Sequence, residues 1–303
     1  MYFIKRILFF IPLLLVISLL AFLLVRLLPG GPFDDEKFFS PEIKRNLNLK
    51  YHLDESTPKQ YVRFLGDLLH GDFGTSTKYR NHSVNDIIAQ GLPVSLTLGI
   101  AAFCFALGVG IPLGFFTAVN KGAWQDYAGS FLSLLVICIP GLVIGPILIM
   151  FFAIKLRWFP VALWGSPWHA ILPTLTLGLY FSGRIARLMH EGMLTTLHSE
   201  FITTARAKGL SETAVLIKHA FRLAVLPVLS YSGPLLADLL TGSFIVENIF
   251  QIPGIGVFLV NSALNSDYTM LVGLVLLYAV LLLFLNLAVD FAYSVLDRRV
   301  RYE

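Results

Sequence analysis

The stretch EFITTARAKGLSETAVLIKHAFRLAVLP, Glu200 to Pro227, decides how this chain is read. It is the only long polar run between two apolar segments that faces the basic side of the expected membrane. Glu200 to Lys208 holds no helix breaker, and Gly209 stands where helices commonly end in the left-handed conformation. Ser211 is placed to cap a second helix, with Leu210 and Val215 spaced as a hydrophobic staple. The spacing predicts two short helices hinged at Gly209, a shape suited to receive a push from a partner. An ordinary connecting loop would have the same spacing.

Outward from that run the chain is apolar. Of 303 residues, 56% are hydrophobic and 14% charged, against about 25% charged in soluble domains. A mean hydropathy of +0.74 fits a protein mostly embedded in a lipid bilayer. The net charge of +4 is small. The basic residues sit at the ends of apolar segments, not in the groove or stripe that a nucleic-acid binder needs. Cys104 and Cys138 both fall inside apolar segments and read as free thiols acting as small hydrophobes. No His, Cys, Asp and Glu cluster has metal-ligand spacing. His190-Glu191 opens like a zinc-protease motif, but position 194 is Leu.

Six apolar stretches are expected to cross the membrane: roughly 7–28, 94–118, 127–154, 170–190, 223–247 and 269–296. The first, 22 residues long, makes about 33 Å of helix against about 30 Å of hydrocarbon. It follows Lys5 and Arg6 and lacks a small-residue cleavage site, so it reads as an uncleaved span. The fourth is interrupted by Arg184 and Arg187, which are expected at its cytoplasmic end. With both termini cytoplasmic, twelve basic residues lie on the inner flanks, among them Lys121, Lys218, Arg222, Arg298, Arg299 and Arg301. Only Lys155 and Arg157 lie in the two short outer loops, 155–169 and 248–268. This is the positive-inside pattern. Leu92-Pro93, Leu172-Pro173 and Leu226-Pro227 are each placed at the start of a span, because proline is tolerated at the first helical position. The expected organisation is 1–28 (N-terminus and first span), 29–93 (a helical periplasmic loop), 94–297 (a five-helix core with a cytoplasmic loop at 198–222) and a cytoplasmic tail at 298–303.

The loop 29–93 is too patterned to be disordered. Ser40-Pro41-Glu42 has the form of a helix start: cap, proline, then acid in the first turn. Thr57-Pro58 starts another helix. Tyr61, Phe64, Leu65, Leu68 and Leu69 then share one helical face, and Gly71 is the expected stop. These two helices form either a lid or docking surface, or a structural plug.

Ionisable groups within apolar spans are costly and suggest function. Asp238 lies mid-way along the fifth stretch, Glu247 at its outer end, and Asp290 towards the inner end of the sixth. Asp238 faces a wet path, pairs with a partner, or is a hydrogen-bonded packing contact. Tyr231, Ser232, Gly233 and Pro234 interrupt the start of the fifth span, which frees backbone carbonyls where a cavity is lined or a neighbouring helix packs. Tyr231, Asp238 and Glu247 are the expected pathway residues. Glu247 also precedes the tight turn at Pro253, Gly254 and Gly256 and is placed to cap it.

TARAKGL (Thr204 to Leu210) resembles the cytoplasmic EAA loop of ABC importer permeases, in the form used by the peptide/nickel branch. The broader motif has Glu six residues before its Gly, where this chain has Thr203. LPGGPF (28–33), KYHLD (50–54), HGDFG (70–74), SVNDII (83–88), GSFIVENIFQIPGIG (242–256) and NSALNSDY (261–268) are similar to the B-type membrane subunit of oligopeptide permeases. The resemblance implies an all-α integral membrane protein. It would have six transmembrane helices, a cytoplasmic coupling-helix loop and a small helical periplasmic insertion, in the bacterial inner membrane.

It also implies that Glu200, Thr204, Ala205, Arg206, Ala207, Lys208, Gly209, Leu210, His219 and Pro227 form the contact with an ATP-hydrolysing partner. Two such ATP-binding subunits, a second similar permease chain and a periplasmic peptide-binding protein are the implied partners. Arg206 and Lys208 are candidates to pair with acids on the ATPase or with lipid phosphates. No Gly-Lys pair occurs in the sequence, so no Walker A loop is present. The resemblance therefore implies that ATP and Mg belong to the partners, that this chain holds no cofactor and that it is not itself an enzyme. The alternatives are an ion- or proton-coupled secondary transporter, or a permease of the same family for dipeptides, nickel or other small solutes.

Overall fold

The computed structural model describes residues 2–27, 41–79, 82–241 and 244–296. Within them every regular element is helical, apart from a single antiparallel bridge between Thr75 and Ser83. In order these are α1 (Tyr2–Leu27), α2 (Pro41–Lys50), α3 (Thr57–Leu69), α4 (Val84–Val119), α5 (Trp124–Cys138) and α6 (Gly141–Leu148). A π-helical turn, Ile149–Lys155, extends α6. Then come α7 (Pro167–Leu197), α8 (Glu200–Ala207), α9 (Glu212–Ala214), a second π-helical turn (Val215–Ala220) and α10 (Phe221–Ala224). Last are α11 (Leu226–Thr241), α12 (Phe244–Ile249), α13 (Ile255–Leu264) and α14 (Tyr268–Leu296).

The expected count of six continuous spans needs correction. Among the described residues four helices are long and apolar enough to cross a membrane: Leu8–Leu27, Val84–Val119, Leu226–Ile249 and Tyr268–Ala288. The third stretch is a broken pair, Trp124–Cys138 and Gly141–Lys155, bent by 101°. Proline drives the residue before it out of the α region. Accordingly Ile139 (φ −90°, ψ 117°) and Pro140 (φ −60°, ψ 143°) are both extended. The fourth stretch forms α7, 31 residues long, but Arg184, Arg187 and Glu191 make it less apolar than a simple lipid-facing span. Two of the three Leu-Pro pairs also fall elsewhere than expected. Pro93 lies inside α4 and Pro173 inside α7, which begins at Pro167 after Ser166, while Pro227 does sit in the first turn of α11. Buried packing around Leu172 and Pro173 outweighs the local cost of an interior proline.

The chain divides into two compact units. One is built from the described parts of 1–94 and 254–283. Here Phe22 of α1 stacks near Tyr61 and Phe64 of α3, with ring centroids 5.1 and 5.9 Å away, and Ser18 Oγ lies 2.8 Å from the Tyr61 hydroxyl. The amphipathic face predicted for α3 is thus used, except that Leu69 is 88% exposed. Ser56, not Thr57, occupies the cap position, and it makes no side-chain cap bond. Gly71 (φ +76°) ends the helix as predicted. Pro41 and Glu42 open α2, while Ser40 and LPGGPF lie outside the described residues. A core of Val84, Ile87, Ile88, Ile255, Met270 and Leu274 completes this unit. Beside it, buried Asp267 accepts from Ser76 Oγ, from Thr77 N (3.2 Å) and Oγ1 (3.1 Å), and from Met270 N (3.3 Å).

The second unit is built from 95–253 and the end of α14. Its axis is α7, which packs against α5, α6, α10, α11 and α12. Small residues permit this: without a hydrophobic drive between helices in lipid, close backbone approach supplies the attraction. At Gly192 of α7 a Cβ would come within 2.4 Å of the Ala224 carbonyl oxygen, so only glycine lets α7 and α10 meet. Gly110 and Gly114 of α4 lie equally close to Ile185 and Ala186.

Candidate functional site

The stretch Glu200 to Pro227 folds as an elbow. Ile202 and Ala205, three apart on α8, are buried, and α8 leans on the π-helical turn. Glu200, Thr204, Arg206, Ala207 and Lys208 are exposed. The helix ends as predicted at Gly209, with φ +75°. Gly209 N donates to the Arg206 carbonyl (2.9 Å) and Leu210 N to the Ala205 carbonyl (3.4 Å). Ser211 Oγ accepts from Ala214 N at 3.4 Å, so the predicted cap is present. Leu210 is 42% exposed although Val215 is fully buried, less cover than a staple gives. The second helix starts as α9 but widens into the π-helical turn, where His219 is half-buried, before α10 and then α11 with Pro227 in its first turn. Nothing in the spacing signalled that wider winding.

Arg206 is engaged within the chain. Its Nε and Nη2 donate to Glu212 Oε2 (3.1 Å) and Oε1 (2.6 Å), across the Gly209 turn. This hydrogen bond pushes the Arg206 guanidinium above its ordinary value and holds the Glu212 carboxyl below the usual carboxylate range. Lys208 remains exposed. Around the charges, Phe201, Leu210 and Ile217 present exposed apolar side chains.

A second feature lies along α11. Tyr231, Pro234 and Asp238 occupy positions i, i+3 and i+7, one helical face. Pro234 and Asp238 are exposed and Tyr231 is half-buried, whereas Ser232, Leu235 and Leu239 on the other side are buried. Arg184 of α7 joins this face: its Nη1 donates to the Tyr231 hydroxyl at 3.1 Å, and its guanidinium lies 5.3 Å from the Tyr180 ring centroid. Arg184, expected only as an end-of-span charge, was missed as part of this face. Its partner lies 47 residues away in sequence.

Glu247 sits apart from the exposed face. It is fully buried in α12, accepts from Ser95 Oγ at 2.7 Å, and its carbonyl accepts from Ile252 N at 2.8 Å. The side chain of Asp290 and the tail from 297 lie outside the described residues.

Residues 110–302 match the family described as the binding-protein-dependent transport system inner membrane component. Over 300 residues the chain is 42% identical to the oligopeptide transport system permease protein OppB of Haemophilus influenzae, covering 98% of each. It is 41% identical to OppB of Escherichia coli K12 at the same coverage. It is 40% identical to the dipeptide transport system permease protein DppB of Bacillus subtilis, covering 99% of this chain and 97% of that one. Among solved structures, an inward-facing MetNI methionine ABC transporter chain is similar with a TM-score of 0.60 at 16% identity, over 70% of this chain and 97% of that chain. Sequence and fold agree: the chain belongs to the inner membrane components of binding-protein-dependent transport systems, as a helical membrane permease.

Proposed function

We propose that this chain forms half of the translocation pathway for oligopeptides and is moved by ATP hydrolysis on partner subunits. The observation that carries this reading is the 42% identity to an oligopeptide permease, continuous over 98% of both chains. The complete machine then needs a second permease chain, two ATP-binding subunits that hold ATP and Mg, and a periplasmic protein that delivers peptide. This chain holds no cofactor and catalyses no reaction. Both termini and the elbow face the cytoplasm, in keeping with the basic flanks, and α2 and α3 face the periplasm. A dipeptide substrate is the second reading, favoured by the 40% identity to DppB; uptake of labelled dipeptide against tripeptide and pentapeptide separates the two.

The elbow couples the motor to the membrane. Phe201, Leu210, Ile217 and Lys208 meet the ATPase, while Arg206 and Glu212 hold the two arms of the elbow together. Closure of the ATPase pair pushes the elbow as a body, a hinge motion of a few terminal residues. The tight contact between Gly192 and Ala224 passes the displacement to α7 and α11. Gly209→Pro tests this. Proline locks φ near about −65° and removes an N–H, against an observed φ of +75° and a bond to Arg206. The variant is expected to reach the membrane at normal levels and lose peptide uptake. Normal uptake would remove the elbow from the mechanism.

A further inference from the structure

Charged side chains within an apolar span are costly against hydrocarbon and are covered by protein or water. Arg184 lies near the middle of the 31-residue α7, and Asp238 mid-way along Leu226–Ile249. Both are exposed on one face of the second unit. Among the described residues Asp238 accepts no hydrogen bond and forms no ion pair. Pro234, between Tyr231 and Asp238, has no N–H, so the Ser230 carbonyl on the same side lacks its helical donor. The face therefore offers a cation, an anion and a backbone carbonyl that proline deprives of its usual helical donor.

A peptide with free ends carries the complementary set: a carboxylate, an ammonium and amide N–H groups. We propose that Arg184 and Asp238 read the two ionised termini of the passing peptide, Arg184 taking the carboxylate and Asp238 the ammonium, with the Ser230 carbonyl accepting from the peptide backbone. The Tyr231 hydroxyl holds Arg184 in place. This inference rests on the oligopeptide reading above. The competing occupant of the face is the second permease chain.

The test uses the complete transporter with its ATPase subunits and binding protein in proteoliposomes. Uptake is compared for trialanine, its C-terminal amide and its N-acetyl form, each variant against wild type so that the binding protein's own preferences cancel. Arg184→Gln is expected to raise KM for free trialanine about tenfold while the amide changes by less than about twofold, the signature of a lost charge pair. Asp238→Asn is expected to show the same selectivity for N-acetylation, and Arg184→Lys to restore most of the loss. Equal losses on free and blocked peptides, or a fall in kcat alone, would overturn the proposal. A photo-crosslinking residue in place of Pro234 adds a second readout. Transfer to labelled tripeptide supports the proposal, and transfer only to the second permease chain refutes it. A wild-type transporter that moves no tripeptide defeats the oligopeptide reading itself. One that does, with variants indifferent to the blocked end, defeats only this inference.

Discussion

Asp267 and Asp238 are the same residue under opposite conditions. Asp267, in the unit built around α1, α3 and the start of α14, is fully buried. Its carboxylate is bonded to Ser76, Thr77 and the amide of Met270, which also makes it the cap of α14. Asp238, in the unit built around α7, stands exposed with no hydrogen bond among the described residues. A buried polar group whose bonds close within the chain contributes to stability. An open one in an apolar helix is costly against hydrocarbon unless protein or water covers it. The elbow shows the same split, with Arg206 paired internally and Lys208 left to solvent.

The sharpest way to break this comparison is to exchange the two phenotypes. Asp267→Ala strands the buried donors of Ser76 and Met270, leaves half-buried Thr77 without its acceptor and removes a helix cap, a destabilisation of about 3 kcal/mol. Thermal melting in detergent is expected to fall steeply, with low membrane yield. Asp238→Asn is expected to leave melting unchanged. The reverse pattern would invert the assignment of the two sites.

A middle-sized effect is expected at Gly192→Ala, because the added methyl meets the Ala224 carbonyl at 2.4 Å. Separating α7 from α10 costs about 2 kcal/mol. The same variant is expected to weaken the link between ATP hydrolysis and uptake, measured as peptide moved per ATP. Unchanged melting would mean that α10 is free to shift.

The smallest effect belongs to the exposed Arg206–Glu212 pair, since surface ion pairs contribute little. Glu212 is held below its ordinary value by Arg206. Its folded value therefore lies below its unfolded one. The contribution is complete above the unfolded value and is lost as pH falls through the lowered folded value. The melting difference between wild type and Glu212→Gln is expected to be small at neutral pH and to vanish once the pH has fallen through the lowered folded value. A difference that persists in acid would show that the pair acts through packing.

Legibility followed the range of the interactions. Gly209 was readable because a positive φ is a property of one residue and its neighbours. The start of α2 at Pro41 and the end of α3 at Gly71 were readable for the same reason. The break at Ile139-Pro140 obeys an equally local rule, yet apolarity alone ran the two legs together into one span. Pro93 and Pro173 misled in the other direction, because tertiary packing carried helix through residues that locally favour a start. Arg184 and Asp267 were out of reach: their partners lie 47 and up to 191 residues away.

Composition and short patterns by themselves determined that the chain is a membrane protein of helices, with a glycine turn in its polar loop. Both are set by transfer of side chains out of water and by the backbone preferences of single residues. Only the tertiary structure decided which polar groups are spent inside the chain and which remain open. Pairing depends on which distant segments are brought within hydrogen-bond reach, and that is a property of the packed helices.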